Sequence, residues 1–283
     1  MTIPEALILG AVQGITEFLP VSSSGHLVLI QKIFGIGEPV ILFDTLVHAA
    51  TLIAVCAVLW KDIWDILKKI VQPLTLYLVI ATIPAVIAAL VFRKQIEGIF
   101  SSTTFLGIFF IVTSILLLHS ELRNWKPKFL RKANESAEIQ NEKPEAVEKK
   151  MSWKDALIMG LFQAAAIIPG LSRSGAVLSA GLFCGLKRDK IVRFAFLLSI
   201  PAILGALVLQ VKDIGGGIAG TSAGGIGILP LAAGFVSAAV TGFFSIRFML
   251  KIVGEHTLIG FAVYTRILGI LVLIDRFGTH FFL

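Results

Sequence analysis

Long uninterrupted apolar runs dominate this sequence, in place of the alternation of a half-buried strand or the stripe of a surface helix. Six of them, over about residues 43–60, 74–92, 103–120, 194–211, 228–250 and 257–275, are nearly free of charge. Each is long enough to cross a hydrocarbon core of about 30 Å as a helix rising ~1.5 Å per residue. Two further regions, 3–34 and 153–187, are apolar but interrupted. The first breaks at Pro20-Val21-Ser22-Ser23-Ser24-Gly25, the second at Pro169-Gly170-Leu171-Ser172-Arg173-Ser174-Gly175. Each half is too short to cross comfortably. Broken backbone at membrane depth persists only where it is buried in protein or lines a wet cavity. Both regions therefore read as re-entrant hairpins. The fold class expected is an all-α integral membrane protein with six transmembrane helices and two re-entrant helix–loop–helix hairpins.

The two broken regions also resemble each other. Gly10, Gln13, Ser22, Ser24 and Gly25 recur 150 residues later as Gly160, Gln163, Ser172, Ser174 and Gly175, and Pro20 is matched by Pro169, one residue out of step. Each hairpin is followed by three spans, which divides the chain into a first repeat (1–120), a charged linker (121–152) and a second repeat (153–283). An odd number of spans per copy inverts the second relative to the first, and inverted repeats with broken helices place a binding site where the breaks meet.

Composition agrees with a membrane solvent. The chain is 56% hydrophobic and 15% charged, with few of the charges that cover a soluble domain. No cleavable signal peptide is expected, because the first charge-free stretch is short and Glu5 precedes it. Cys56 and Cys184 lie in apolar stretches with no CxxC, which argues against structural zinc or a disulfide framework. The net charge of +7 does not call for nucleic acid, since the basic residues lie in the loops. Loops 61–73, 121–155, 187–193 and 247–256 hold 18 Lys and Arg; the opposite side, with both termini, holds Lys32, Arg93, Lys94, Lys212 and Arg276. The positive-inside rule makes the first side cytoplasmic and both termini external. The mixed-charge linker reads as a cytoplasmic loop, and the Gly-rich stretch 213–227 as a flexible external one.

Chemistry concentrates at the breaks. Gln13, Glu17, Ser22, Ser23, Ser24 and His26 crowd an otherwise apolar hairpin. Ionisable groups at membrane depth are costly and so are candidates for function. The plainer reading, with Glu17 and His26 at the water interface and the serines capping a helix, explains the serines but not their company. In the second break, Arg173 between Ser172 and Ser174 suits an anionic ligand, because guanidinium donates paired hydrogen bonds to phosphate oxygens. A structural pair between Arg173 and Glu17 is the alternative, and the two can coexist if substrate opens the pair. Serine needs an adjacent base to act as nucleophile, and His26 is the partner that chemistry suggests. Asp44 and His48, four apart on one helical face, either border the site or serve structure, and Arg266 either faces the bundle or snorkels.

The segments EFLPVSSSGHL and PGLSRSG, with FDTLVHAATLIAV (43–55) and RFAFLLSIPAILGA (193–206), resemble the undecaprenyl-diphosphate phosphatase family, also called bacitracin-resistance proteins, over essentially the whole chain. The resemblance implies hydrolysis of undecaprenyl diphosphate to the monophosphate carrier used for peptidoglycan, in the bacterial inner membrane. It implies catalytic roles for Glu17, Ser23, His26 and Arg173, and substrate binding by Gln13, Ser22, Ser24, Ser172 and Ser174. Ser23 is the expected nucleophile with Ser22 next, His26 the general base or acid, and Arg173 the phosphate clamp. It also implies a divalent cation, magnesium or calcium, with Glu17 as its protein ligand. The family's acidic motif begins here with Gln13, which cannot ionise, while Val177 and Ala50 stand where Thr and Gly are usual. A polyprenyl-phosphate flippase on the same architecture is the competing reading, and a non-catalytic scaffold leaves the Glu17, His26 and Arg173 cluster unexplained. The expected partners are the lipid substrate and the membrane, with a homodimer left open.

Overall fold

The computed structural model describes residues 1–36, 41–92, 103–124, 149–215 and 226–279. Most of the linker, the tip of the Gly-rich loop and Arg93 and Lys94 lie outside the described residues. Among those described, every regular element is helical. In chain order they are α1 (Ile3–Phe18), α2 (Ser23–Ile33), α3 (Ile41–Val58), α4 (Trp60–Lys68), α5 (Pro73–Val91), α6 (Thr103–Asn124), α7 (Trp153–Ala165), α8 (Arg173–Phe183), α9 (Arg188–Gly215), α10 (Ile228–Glu255) and α11 (Ile259–Ile274). Five of these, α3, α5, α6, α9 and α10, are long and apolar enough to cross a membrane. The sixth expected span corresponds to α11, which has 16 residues before a π-helical turn carries the path on to Thr279.

The interrupted regions are each two short helices, α1 with α2 and α7 with α8, packed on one another. The breaks begin and end earlier than the sequence suggested, at 19–22 and 166–172, so Ser24, Gly25, Ser174 and Gly175 already sit in a first helical turn. A helix also occupies the expected loop 61–73. This is α4, with Trp60, Trp64 and Leu67 exposed along one side and Arg193 of α9 bonded to Asp62 at 3.2 Å.

The two halves use the same devices 150 residues apart. Thr2 caps α1 by accepting from the Glu5 amide at 3.4 Å, while the Thr2 amide donates to the Glu5 carboxylate at 2.8 Å. Ser152 and Asp155 build the same reciprocal box on α7, at 3.4 and 2.9 Å. Packing partners also change places between halves: α1 lies along α10 while its counterpart α7 lies along α5. Glycine permits both approaches. A Cβ on Gly10 would stand 2.2 Å from the Gly234 carbonyl oxygen, and one on Gly160 would stand 2.5 Å from that of Ala81. Lipid offers no hydrophobic gain for bringing helices together, so such backbone proximity is what holds the pairs. The interior is filled by fully buried Phe18, Phe43, Phe110 and Phe196, with Phe18 and Phe196 edge to face at 5.6 Å. Val177 and Ala50 are buried here as packing residues.

On the side that carries most of the basic residues, Arg188 at the start of α9 forks onto the buried Glu121 carboxylate of α6 at 2.7 and 2.5 Å. The same carboxylate accepts the Leu258 amide at 3.0 Å, joining the ends of three helices at one charge pair. Arg266 is exposed on α11, outside the bundle interior.

Candidate active site

Proline ends α1. With Pro20 ahead, Leu19 turns extended, and the chain crosses to Ser22, the one non-glycine residue with positive φ (+71°) among those described. A side chain there is strained, and strain of this kind persists only where neighbours hold it. The holder is His26. The Ser22 carbonyl accepts both the His26 amide at 3.2 Å and, at 2.7 Å, the His26 Nδ1. The second break is built conventionally. Gly170 takes the left-handed conformation (φ +88°), and Ser172 caps α8 by accepting the Gly175 amide at 3.1 Å. Thr113 of α6 clamps this loop, accepting the Ser172 amide at 3.0 Å and donating to the Gly170 carbonyl at 3.1 Å.

The breaks meet. Ser174 Oγ donates to the Leu19 carbonyl at 2.8 Å, and a Cβ on Gly175 would lie 3.3 Å from that of Pro20. Glu17 stands at the junction, almost wholly buried in the last turn of α1. Arg173 Nη2 donates to its Oε1, and Ser23 Oγ donates to its Oε2. Gln13 Nε2, one helical turn back, donates to Oε2 at 3.0 Å. His48 Nε2 of α3 lies 4.0 Å from the same oxygen. Arg173 and Ser23 are the first residues of α8 and α2, so two helix N-termini converge on one carboxylate. The first amides of a helix have no carbonyl partner within it, which makes such a junction a natural seat for an anion. The serines two apart are paired in both breaks, Ser22 with Ser24 at 3.4 Å and Ser172 with Ser174 at 3.2 Å.

Of the expected catalytic set, Glu17, Ser23 and Arg173 are joined directly. His26 is not Ser23's partner. Its two ring nitrogens are engaged by the Ser22 carbonyl and, at 2.7 Å, by the Tyr264 hydroxyl of α11, so the base in contact with Ser23 is Glu17. Two site residues escaped the sequence reading. Thr113 and Tyr264 carry no local signal, being brought in from distant helices. His48 was left undecided, and it proves to face Glu17 while donating through Nδ1 to the Asp44 carbonyl at 2.7 Å. Asp44 itself accepts Gln31 Nε2 at 2.8 Å.

A hard divalent cation fits these donors in part. Among the described residues no three His, Cys, Asp or Glu side chains cluster as ligands. The Gln13 Oε1 is nevertheless buried with no hydrogen-bond partner, one turn from the Glu17 carboxylate. Magnesium is commonly held this way, by one or two protein oxygens with phosphate and water completing the shell.

A family model described as bacitracin resistance protein BacA matches residues 6–271. The chain belongs to this family. Among its relatives is an undecaprenyl-diphosphatase of Carboxydothermus hydrogenoformans, 41% identical over 95% of this chain and 96% of the relative. Another is an undecaprenyl-diphosphatase of Methanosphaera stadtmanae, 38% identical over 97% and 98%. A third, named undecaprenyl-diphosphatase 1, from Shouchella clausii, is 38% identical over 97% and 96%. As a member of this family with five helices long and apolar enough to cross a membrane among its described residues, the chain is a multi-pass membrane protein, with Glu17, Ser23 and Arg173 meeting inside its helical bundle.

Proposed function

We propose that this protein hydrolyses undecaprenyl diphosphate to undecaprenyl phosphate and inorganic phosphate, returning the lipid carrier to cell-wall synthesis. Family membership and the names of the relatives support the reaction. The observation that carries the chemistry is the contact of Arg173 and Ser23, from the two breaks, with the single carboxylate of Glu17.

In this reading the terminal phosphate of the lipid enters between the N-termini of α2 and α8. Arg173 exchanges Glu17 for two phosphate oxygens, since its fork matches them as well as it matches a carboxylate. Ser22, Ser24, Ser172 and Ser174 and the first amides of both helices donate to the remaining oxygens. The freed Glu17 accepts the Ser23 proton, and Ser23 Oγ attacks the terminal phosphorus. The bond to the bridging oxygen breaks and undecaprenyl phosphate leaves. Glu17 passes its proton to the departing undecaprenyl phosphate; water then displaces the phosphate from Ser23, giving up its proton to Glu17, which returns it to Ser23 Oγ. Phosphoryl transfer asks mostly for this positioning and charge neutralisation. Glu17 and Gln13 Oε1 would hold magnesium or calcium, which supplies further neutralisation of phosphate charge.

The same reading extends to topology. Helices α3, α5, α6, α9, α10 and α11 cross the plasma membrane, and the α1–α2 and α7–α8 hairpins enter from opposite faces as inverted repeats. The first repeat spans 1–120 and the second 153–283, with the linker 121–152 in the cytoplasm and both termini outside. The duplicated capping boxes, the exchanged packing partners and the charge asymmetry of the loops support it. Glu17, Ser23 and Arg173 all come from one chain, so a homodimer is not needed to bring them together.

Purified protein in detergent micelles is given undecaprenyl diphosphate, and lipid product and inorganic phosphate are both quantified. One phosphate per lipid converted is expected. Movement of a labelled polyprenyl phosphate between liposome leaflets with no phosphate released would establish the flippase instead. Trapping phosphate on Ser23 after an acid quench separates the serine route from direct attack by a water that Glu17 activates.

A further inference from the structure

His26 has no task at the reacting atoms in the serine route, and its surroundings assign it one. Its Nδ1 faces the Ser22 carbonyl at 2.7 Å, and a carbonyl only accepts, so Nδ1 carries the ring's proton. Nε2 lies 2.7 Å from the Tyr264 hydroxyl. Neither partner is charged, and the neutral ring satisfies both: Nδ1–H donates to Ser22, and bare Nε2 accepts from Tyr264. The imidazole is nearly parallel to the Tyr264 ring (10° between planes) and nearly perpendicular to the Phe110 ring at a centroid distance of 5.4 Å. Tyr264, Phe110 and the Ser22 carbonyl therefore fix its orientation, its plane and its tautomer.

We propose that Tyr264 is a positioning residue for the nucleophile: by holding His26 as the neutral Nδ1–H tautomer, it pins the Ser22 carbonyl and keeps the first break in the conformation that aims Ser23 at Glu17. The chain of contacts is continuous, from the Tyr264 hydroxyl to His26 Nε2, from His26 Nδ1 to the Ser22 carbonyl, and through one peptide to Ser23. The need for it is local. Ser22 has a left-handed backbone with no glycine to relieve it, and it makes no side-chain cap for α2, unlike Ser172 at the second break. A backbone held against its preference needs an outside restraint, and the ring of His26 supplies one. The arrangement also ties α11, in the second half of the chain, to the nucleophile of the first, so the strained break is set only once the two halves have packed.

The inference rests on the proposed serine route, and its test has an arm that does not use turnover. Imidazole nitrogen chemical shifts are recorded on histidine-labelled wild type and on Tyr264→Phe, with His26→Gln identifying the His26 signals among the five histidines. Wild type is expected to show a protonated Nδ1 and a bare Nε2 on His26. Tyr264→Phe keeps the aromatic ring and removes the donor, and the expected spectrum is a mixture of tautomers. In phosphate release, Tyr264→Phe is expected to lower kcat by about tenfold, the effect of roughly one weakened contact, with KM for the lipid within about twofold. A purely structural tyrosine would change thermal stability and leave the tautomer and the kcat-to-KM split alone. A wild-type His26 protonated on Nε2, or a Tyr264→Phe protein with unchanged nitrogen shifts and kcat, overturns the proposal. If wild type itself released no phosphate, the proposed function would fall, while the tautomer measurement would still decide the role of Tyr264.

Discussion

Replacing Arg173 by lysine separates charge from geometry at the junction of the two breaks. Alanine is the poorer choice, because it would leave Glu17 buried beside two neutral donors, and stripping one partner from a buried pair costs about 3–5 kcal/mol of stability. Lysine keeps a positive charge within reach of Glu17 and holds the fold. It has no planar fork, so at least one charge-assisted hydrogen bond to the phosphate is lost in the transition state. Such a bond is worth about 1.5–3 kcal/mol. At about 1.36 kcal/mol per factor of ten, kcat/KM for undecaprenyl diphosphate should fall roughly ten- to a hundredfold. The assay is inorganic phosphate release in micelles by a variant that elutes and melts like wild type. A lysine variant within about twofold of wild type would refute the assignment of Arg173 as the group that grips the reacting phosphate.

Other expectations follow from the same geometry. Gly10→Ala and Gly160→Ala each drive a methyl into a facing carbonyl, so each should lower stability in detergent by about 1–3 kcal/mol, read from thermal unfolding; unchanged melting of both would contradict the close packing. Glu121→Gln leaves Arg188 without its counter-charge and should cost about 3 kcal/mol, and a double-mutant cycle with Arg188→Met should return coupling near that size, whereas additive effects would deny the pair. A chelator should abolish phosphate release and added magnesium restore it. Gln13→Leu should then raise the magnesium concentration needed, and an unchanged requirement would remove Gln13 Oε1 from the metal's ligands.

Much of this architecture was legible in the sequence, because the bilayer imposes a simple code. Apolar runs must be helical, and a Pro-Ser-Gly interruption must be sheltered. The repeat was visible in Gly10 and Gly160, and the reason is physical: each sits where helix backbones touch and a side chain would not fit. Glu17 and Arg173 were legible as costly charges, and they are each other's partners. What the sequence could not give was tertiary aim. Ser23 and His26 are near neighbours in the chain, and local chemistry paired them, yet the helix that starts at Ser23 turns the imidazole back onto the Ser22 carbonyl and away from the hydroxyl. Tyr264 and Thr113 reach the breaks from helices far along the chain, a contact that no spacing encodes. Helix α4 was taken for loop because its lysines and aspartates interrupt the apolar run, although Trp60, Trp64 and Leu67 keep a helical spacing.

The central claim is that the two breaks act as one unit, and a kinetic double-mutant cycle tests it most directly. Single-turnover phosphate release is measured for wild type, Glu17→Gln, Arg173→Lys and the double variant. If Glu17 and Arg173 serve one transferring phosphate, the double variant should be scarcely slower than the slower single one. Losses that multiply in full would mean that each residue acts alone, and the shared site would be wrong.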